Sequence, residues 1–77
     1  MSTRFIMFEE DFYKKVGKRI QQIRLEKAMT QLDVAALCNY EKSTISRIES
    51  GRTNLTLKTL YLLSKALNVS MKDLVDI

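Results

Sequence analysis

Proline is absent from this chain, and glycine occurs only at Gly17 and Gly51. Sheet proteins draw on both residues for their turns, so their scarcity favours helices. Histidine is absent too, which removes the usual metal ligand and the usual general base. A lone cysteine, Cys38, cannot close an internal disulfide and fits a reducing cytoplasm. No apolar run approaches the roughly 18 residues that span a bilayer. Met1–Phe8 lacks the long apolar stretch and cleavage site of a secretory signal. Glu9, Glu10 and Asp11 are adjacent on a helix and do not converge, so they read as a solvated acidic helix start rather than metal ligands. With no acid pair, no histidine and one cysteine on an inner stripe, no catalytic constellation can be assembled. The chain reads as a non-enzyme that needs no cofactor or metal.

What is present is ordinary for a globular protein: 45% of the residues are hydrophobic and 29% are charged. The 77 residues suffice for one domain with a modest core. A chain this short hides only about 60% of its unfolded surface, so a second subunit would help it. The net charge of +4 is unevenly placed. Residues 14–58 hold ten Lys and Arg against four Asp and Glu, a local +6, whereas the first 13 residues carry −2 and the last 19 balance. A basic middle between neutral or acidic ends points to a polyanion-facing surface. Lys18 and Arg19 read as solvated surface that adds to this field.

The spacing of Phe12, Val16, Ile20 and Ile23 predicts one long helix from about Glu9 to Lys27, after an N-terminal arm over residues 1–8. Gly17 interrupts it, marking either a kink or the join to an N-terminal extension. Thr30 with Asp33 is a capping-box pattern for a second helix whose apolar stripe is Val34, Ala35 and Cys38. Asn39 suits a left-handed turn. A third helix follows from about Lys42 to Ser50, with Gly51 placed to cap it. A fourth covers about Thr56–Leu67 and is expected to bury Leu57, Leu60, Leu63, Ser64 and Leu67. Ser70 with Asp73 repeats the capping-box pattern and opens a short fifth helix through Leu74. The expected fold is all-α: five helices in a single domain over residues 9–77.

The second and third helices, joined by about three residues, form a helix-turn-helix. On the third, Ile45 and Ile48 point one way while Ser43, Ser46, Arg47 and Ser50 point the other. Small hydroxyls permit close approach to a groove wall. Arg47 can donate two parallel hydrogen bonds to guanine, and serine can use a base edge or a phosphate.

The run Met29-Thr-Gln-Leu-Asp-Val-Ala, the run Ser43-Thr-Ile-Ser-Arg-Ile-Glu-Ser-Gly-Arg-Thr-Asn, then Thr59-Leu and Lys65-Ala-Leu-Asn-Val-Ser together resemble the Cro/repressor-type helix-turn-helix family, also called the xenobiotic-response-element family. The resemblance spans roughly Gly17 to Leu74, and the family's short members include restriction–modification controller proteins and antitoxin-like or phage-type repressors, among which the residues do not choose. It implies a lambda-repressor-like domain that binds double-stranded DNA and regulates transcription. By position it implies that Gln31 contacts phosphate, that Lys42, Ser43 and Thr44 meet bases and phosphate, and that Ser46 and Arg47 face bases. Arg52 and Asn54 fall in the loop that approaches the backbone. Arg24 and Glu49 match a structural ion pair between the first and third helices. The chain departs from the family at Ala28 and Asn39, where glycine is usual, and at Glu41, where a good cap is usual.

A dimer would place two reading helices in successive major grooves, on a pseudo-palindromic operator. Leu62 falls off the buried face of the fourth helix. With Tyr61, Leu74, Val75 and Ile77 it forms the expected two-fold interface, for which Phe5, Phe8 and Tyr13 compete. The rival function is a protein-binding module, such as the antitoxin partner of a toxin.

Overall fold

The computed structural model describes residues 8–77 as five helices and, among those residues, no strand. They are α1 (Glu9–Glu26), α2 (Gln31–Cys38), α3 (Lys42–Glu49), α4 (Leu57–Leu67) and α5 (Met71–Leu74). The arm expected over residues 1–8, with Phe5, lies almost wholly outside the described residues. α1 packs on α3 and α5, α2 on α3 and α4, and α4 on α5. One core gathers side chains from all five: Val16, Ile20 and Ile23; Val34, Ala35 and Cys38; Ile45 and Ile48; Leu63 and Leu67; and Leu74. Burial pushes the Cys38 thiol up, so it stays protonated and inert. Among the described residues, no helix is long and apolar enough to cross a membrane.

Three of the five helices, α2, α4 and α5, start on a capping side chain. The Thr30 hydroxyl accepts from the Asp33 N–H at 3.0 Å, and the Asp33 carboxylate accepts from the Thr30 N–H at 2.9 Å. The Thr30 backbone N–H, with a smaller contribution from the Thr30 hydroxyl, holds the Asp33 carboxyl below its usual range. What the carboxylate contributes to stability is therefore present above the ordinary carboxylate pKa and is lost as pH falls through the lower folded value. Thr56 caps α4 by accepting from the Thr59 N–H. At α5 only half of the expected reciprocal pair forms: the Ser70 hydroxyl accepts from the Asp73 N–H, as a single-turn helix requires. Glu41, in front of α3, makes no side-chain cap.

The first four helices stop by one device. Ala28, Asn39, Gly51 and Asn68 all take positive φ, between 57° and 74°. In each case the next residue's N–H reaches back five residues to a carbonyl: Met29 to Arg24, Tyr40 to Ala35, Arg52 to Arg47 and Val69 to Ser64. This is the Schellman arrangement. It also plants Met29, Tyr40 and Val69 against the core, which fixes the angle at which the chain leaves each helix.

Several expectations are corrected. Gly17 does not interrupt α1, which runs on past it. A Cβ there would lie 2.3 Å from the Ile48 carbonyl oxygen, so Gly17 is the point where α1 touches the end of α3. Leu57 is 76% exposed, because α4 overhangs the core at its first turn and Leu55 from the preceding loop fills the space instead. Leu62 is half-buried and packs on the core rather than standing off it. Leu74 is fully buried: it is the one residue that single-turn α5 contributes to the core, so it is not interface surface.

Ala28 is the costliest of the four left-handed positions, because its Cβ crowds the carbonyl oxygen where asparagine is better tolerated and glycine is free. Ala28→Gly is expected to stabilise the fold by about 1 kcal/mol, raising Tm by roughly 4–8 °C. An unchanged or lower midpoint in thermal unfolding would contradict this account of the turn.

Candidate nucleic-acid interface

α3 is a short helix with two unlike faces. Ile45 and Ile48 are buried, whereas Lys42, Ser43 and Arg47 are exposed and Thr44 and Ser46 are half-buried. The inward isoleucines set the rotation of the helix, and the rotation sets which side chains meet solvent. Arg47 has no side-chain hydrogen bond or ion pair among the described residues, so its five donors are free for an external acceptor. The loop after α3 is held close: the Arg52 N–H bonds the Arg47 carbonyl at 3.0 Å, and the Arg52 guanidinium donates to the Ser50 hydroxyl, also at 3.0 Å. Arg52 and Asn54 are exposed beside the end of α3.

Behind this surface lies a buried polar knot. Arg24 Nε donates to Glu49 Oε2 at 2.6 Å, and Nη2 donates to Glu49 Oε1 at 3.0 Å, a two-pronged pair between α1 and α3. Arg24 Nη1 donates to the Met29 carbonyl at 2.8 Å, tying the turn after α1 into the same group. The Glu49 carboxylate, chiefly by hydrogen bonding, raises the Arg24 pKa further above its ordinary value. Gln31, the first residue of α2, donates from Nε2 to Glu49 Oε1 at 3.0 Å. An amide nitrogen carries two hydrogens, so this bond aims the side chain and leaves one donor free. Glu49 is thereby satisfied on both oxygens, and an acidic residue on an otherwise basic and neutral helix presents little free charge.

Lys42, Ser43, Thr44, Ser46 and Arg47 thus share one helix; Gln31 abuts it through Glu49, and Arg52 and Asn54 follow it. Two links escape the sequence patterns. The Tyr40 and Thr59 hydroxyls lie 3.0 Å apart and join the turn before α3 to α4. Arg19, expected to be solvated, donates from Nε to the Asp73 carbonyl at 2.9 Å and anchors α5. A hydroxyl near an aromatic across 19 residues, or a cation meeting a carbonyl across 54, leaves no periodic trace.

Glu49→Ala is expected to destabilise the protein by about 3–5 kcal/mol, because it strands the Arg24 charge in a buried place. The double change Arg24→Met with Glu49→Leu is expected to recover most of that loss. Denaturant unfolding of the single and double variants measures both. Equal, additive losses would mean that the pair acts as two independent surface charges.

Comparison with known proteins agrees with this geometry. The chain matches the helix-turn-helix family (HTH_3) over residues 20–74. It is 42% identical over 65 residues to an uncharacterised helix-turn-helix-type transcriptional regulator, y4dJ, of Sinorhizobium fredii, covering 84% of each chain. It is 43% identical over 61 residues to the control protein C.BamHI of Bacillus amyloliquefaciens, covering 78% of this chain and 75% of that one. Among solved structures, the restriction-modification controller protein C.AhdI from Aeromonas hydrophila superposes with a TM-score of 0.77 at 28% identity, over 83% of this chain and 96% of that one. The chain belongs to the helix-turn-helix family of transcriptional regulators.

Proposed function

We propose that this protein binds double-stranded DNA in a sequence-dependent way through α3, and that it regulates transcription as a homodimer on a pseudo-palindromic operator. The observation that carries the reading is the division of α3: Ile45 and Ile48 are sealed in the core while Ser43 and Arg47 stand outward with no partner among the described residues. In this reading Arg47 reads a base edge, Ser43, Thr44 and Ser46 line the groove, and Lys42, Arg52 and Asn54 hold the backbone. Gln31 reaches a phosphate with its second amide hydrogen, beside the N-terminus of α2. Residues 9–77 act as one folded unit, working in the cytoplasm.

Two copies joined about a two-fold axis would set their reading helices about 34 Å apart, one turn of the duplex. The exposed apolar residues of α4 and the chain end support this arrangement: Tyr61 and Ile77 are each about half exposed, and Val75 lines an apolar cleft with Phe12 and Leu60. Leu57, one turn before Tyr61, belongs to the same surface.

Selection of binding sites from a random-oligonucleotide pool tests the reading as a whole. Enrichment of a symmetric motif is expected, and no enrichment at low salt would refute it. Arg47→Ala is expected to erase preference at one base pair of each half-site, about 1–3 kcal/mol of discrimination. Uniform weakening on every sequence would place Arg47 on phosphate instead. Tyr61→Glu with Val75→Glu is expected to sediment as a monomer, and an undisturbed dimer would exclude this interface.

A further inference from the structure

A cleft of about 390 Å³ opens between α1, the start of α2 and α3. Lys14, Lys18 and Gln21 form its α1 wall, Ser46 and Ser50 its α3 wall, and Gln31 closes one end. Positions 14, 18 and 21 share one face of α1, and positions 46 and 50 share one face of α3, so each wall is a single column of side chains. Glu49 also borders the cleft, but its carboxylate is already met by Arg24 and Gln31. The charge of the cleft is therefore set by its two lysines. Among the described residues neither forms a salt bridge, in contrast to Arg24 of α1, whose charge is met by Glu49.

From this juxtaposition we propose that Lys14 and Lys18 seat backbone phosphates of duplex DNA, adding α1 to the interface alongside the groove that α3 reads. The inference rests on the DNA-binding reading above. Lys14 and Lys18 are about 6 Å apart along the helix axis, one turn of α1, so their two ammonium groups can reach neighbouring phosphates of one strand. The same cleft holds Gln31 and Ser46, both neutral donors, so a strand entering it meets two cations and hydrogen-bond partners together. The strip ends where the acidic first turn begins: Glu10 and Asp11 border the next cleft, with Lys14 and Arg52.

The test measures binding of a random-sequence duplex and of the selected operator between about 50 and 200 mM salt. The proteins compared are the wild type, the double variant Lys14→Gln with Lys18→Gln, Lys18→Gln alone, and Lys15→Gln. Lys15 lines a different cleft, with Arg19 and Asp76, and its replacement removes the same charge one residue away. The double variant is expected to flatten the slope of log affinity against log salt by about 1 per lysine, on both duplexes alike and without changing sequence preference. Lys18→Gln alone should give about half that change, which keeps the test open if the Lys14 replacement disturbs the Gly51 loop. Lys15→Gln should leave the slope near that of the wild type. A double variant with the wild-type slope, or a Lys15→Gln slope that falls as much as that of Lys18→Gln, would overturn the cleft while leaving DNA binding intact. Failure of the wild type to bind either duplex would overturn the broader reading instead.

Discussion

The bidentate pair between Arg24 and Glu49 is the interaction on which the rest of this small structure turns. Buried ion pairs are poor sources of net stability, because desolvating both charges offsets much of their attraction. What this one supplies is position. Through four hydrogen bonds the knot joins α1, the turn after it, the first residue of α2 and the last of α3. A hydrophobic contact can slide by an ångström and lose little, whereas a two-pronged hydrogen bond cannot. The third helix and Gln31 are thereby held in one frame.

Gly17 complements that knot from the other side of α1. Its missing side chain lets the carbonyls of Ile48 and Glu49 come within reach of the helix backbone, so α1 and α3 meet at a distance no other residue allows. Gly51 does the same at the exit of α3, where a Cβ would lie 2.5 Å from the Lys14 Cα. The chain's two glycines therefore both serve the placement of α3, one under its last turn and one just after it. Lys14 and Lys18 of α1 lie close to the α3 face that carries Ser46 and Ser50 for this same reason.

Much of this was legible in the sequence because it is periodic or local. The spacing of Val16, Ile20 and Ile23, the two-isoleucine stripe of α3, the Thr30–Asp33 cap and the Asn39 turn each depend on residues within a few positions of one another, and all appear in the structure. Leu57 went astray because a helical wheel assigns a face but does not know where along its length a helix leaves the core. Leu74 is the converse case, a terminal leucine that looked free because the wheel of a four-residue helix says little, yet is fully buried. Gly17 was misjudged because a close approach between helices is a tertiary fact, and helix propensity alone records it as a flaw. At the interface, the outward face of α3 followed from period and the Arg24–Glu49 match from family resemblance; the shared cleft of Lys14, Lys18, Gln31 and Ser46 required the packing of α1 on α3.

The start of α3 carries a consequence of its own. With Glu41 making no side-chain cap, the first amides of the helix are left to water. The first turn of α3 therefore lacks the side-chain bond that Thr30 gives α2 and Thr56 gives α4, and Ile45, sealed in the core, has to hold that turn in place instead.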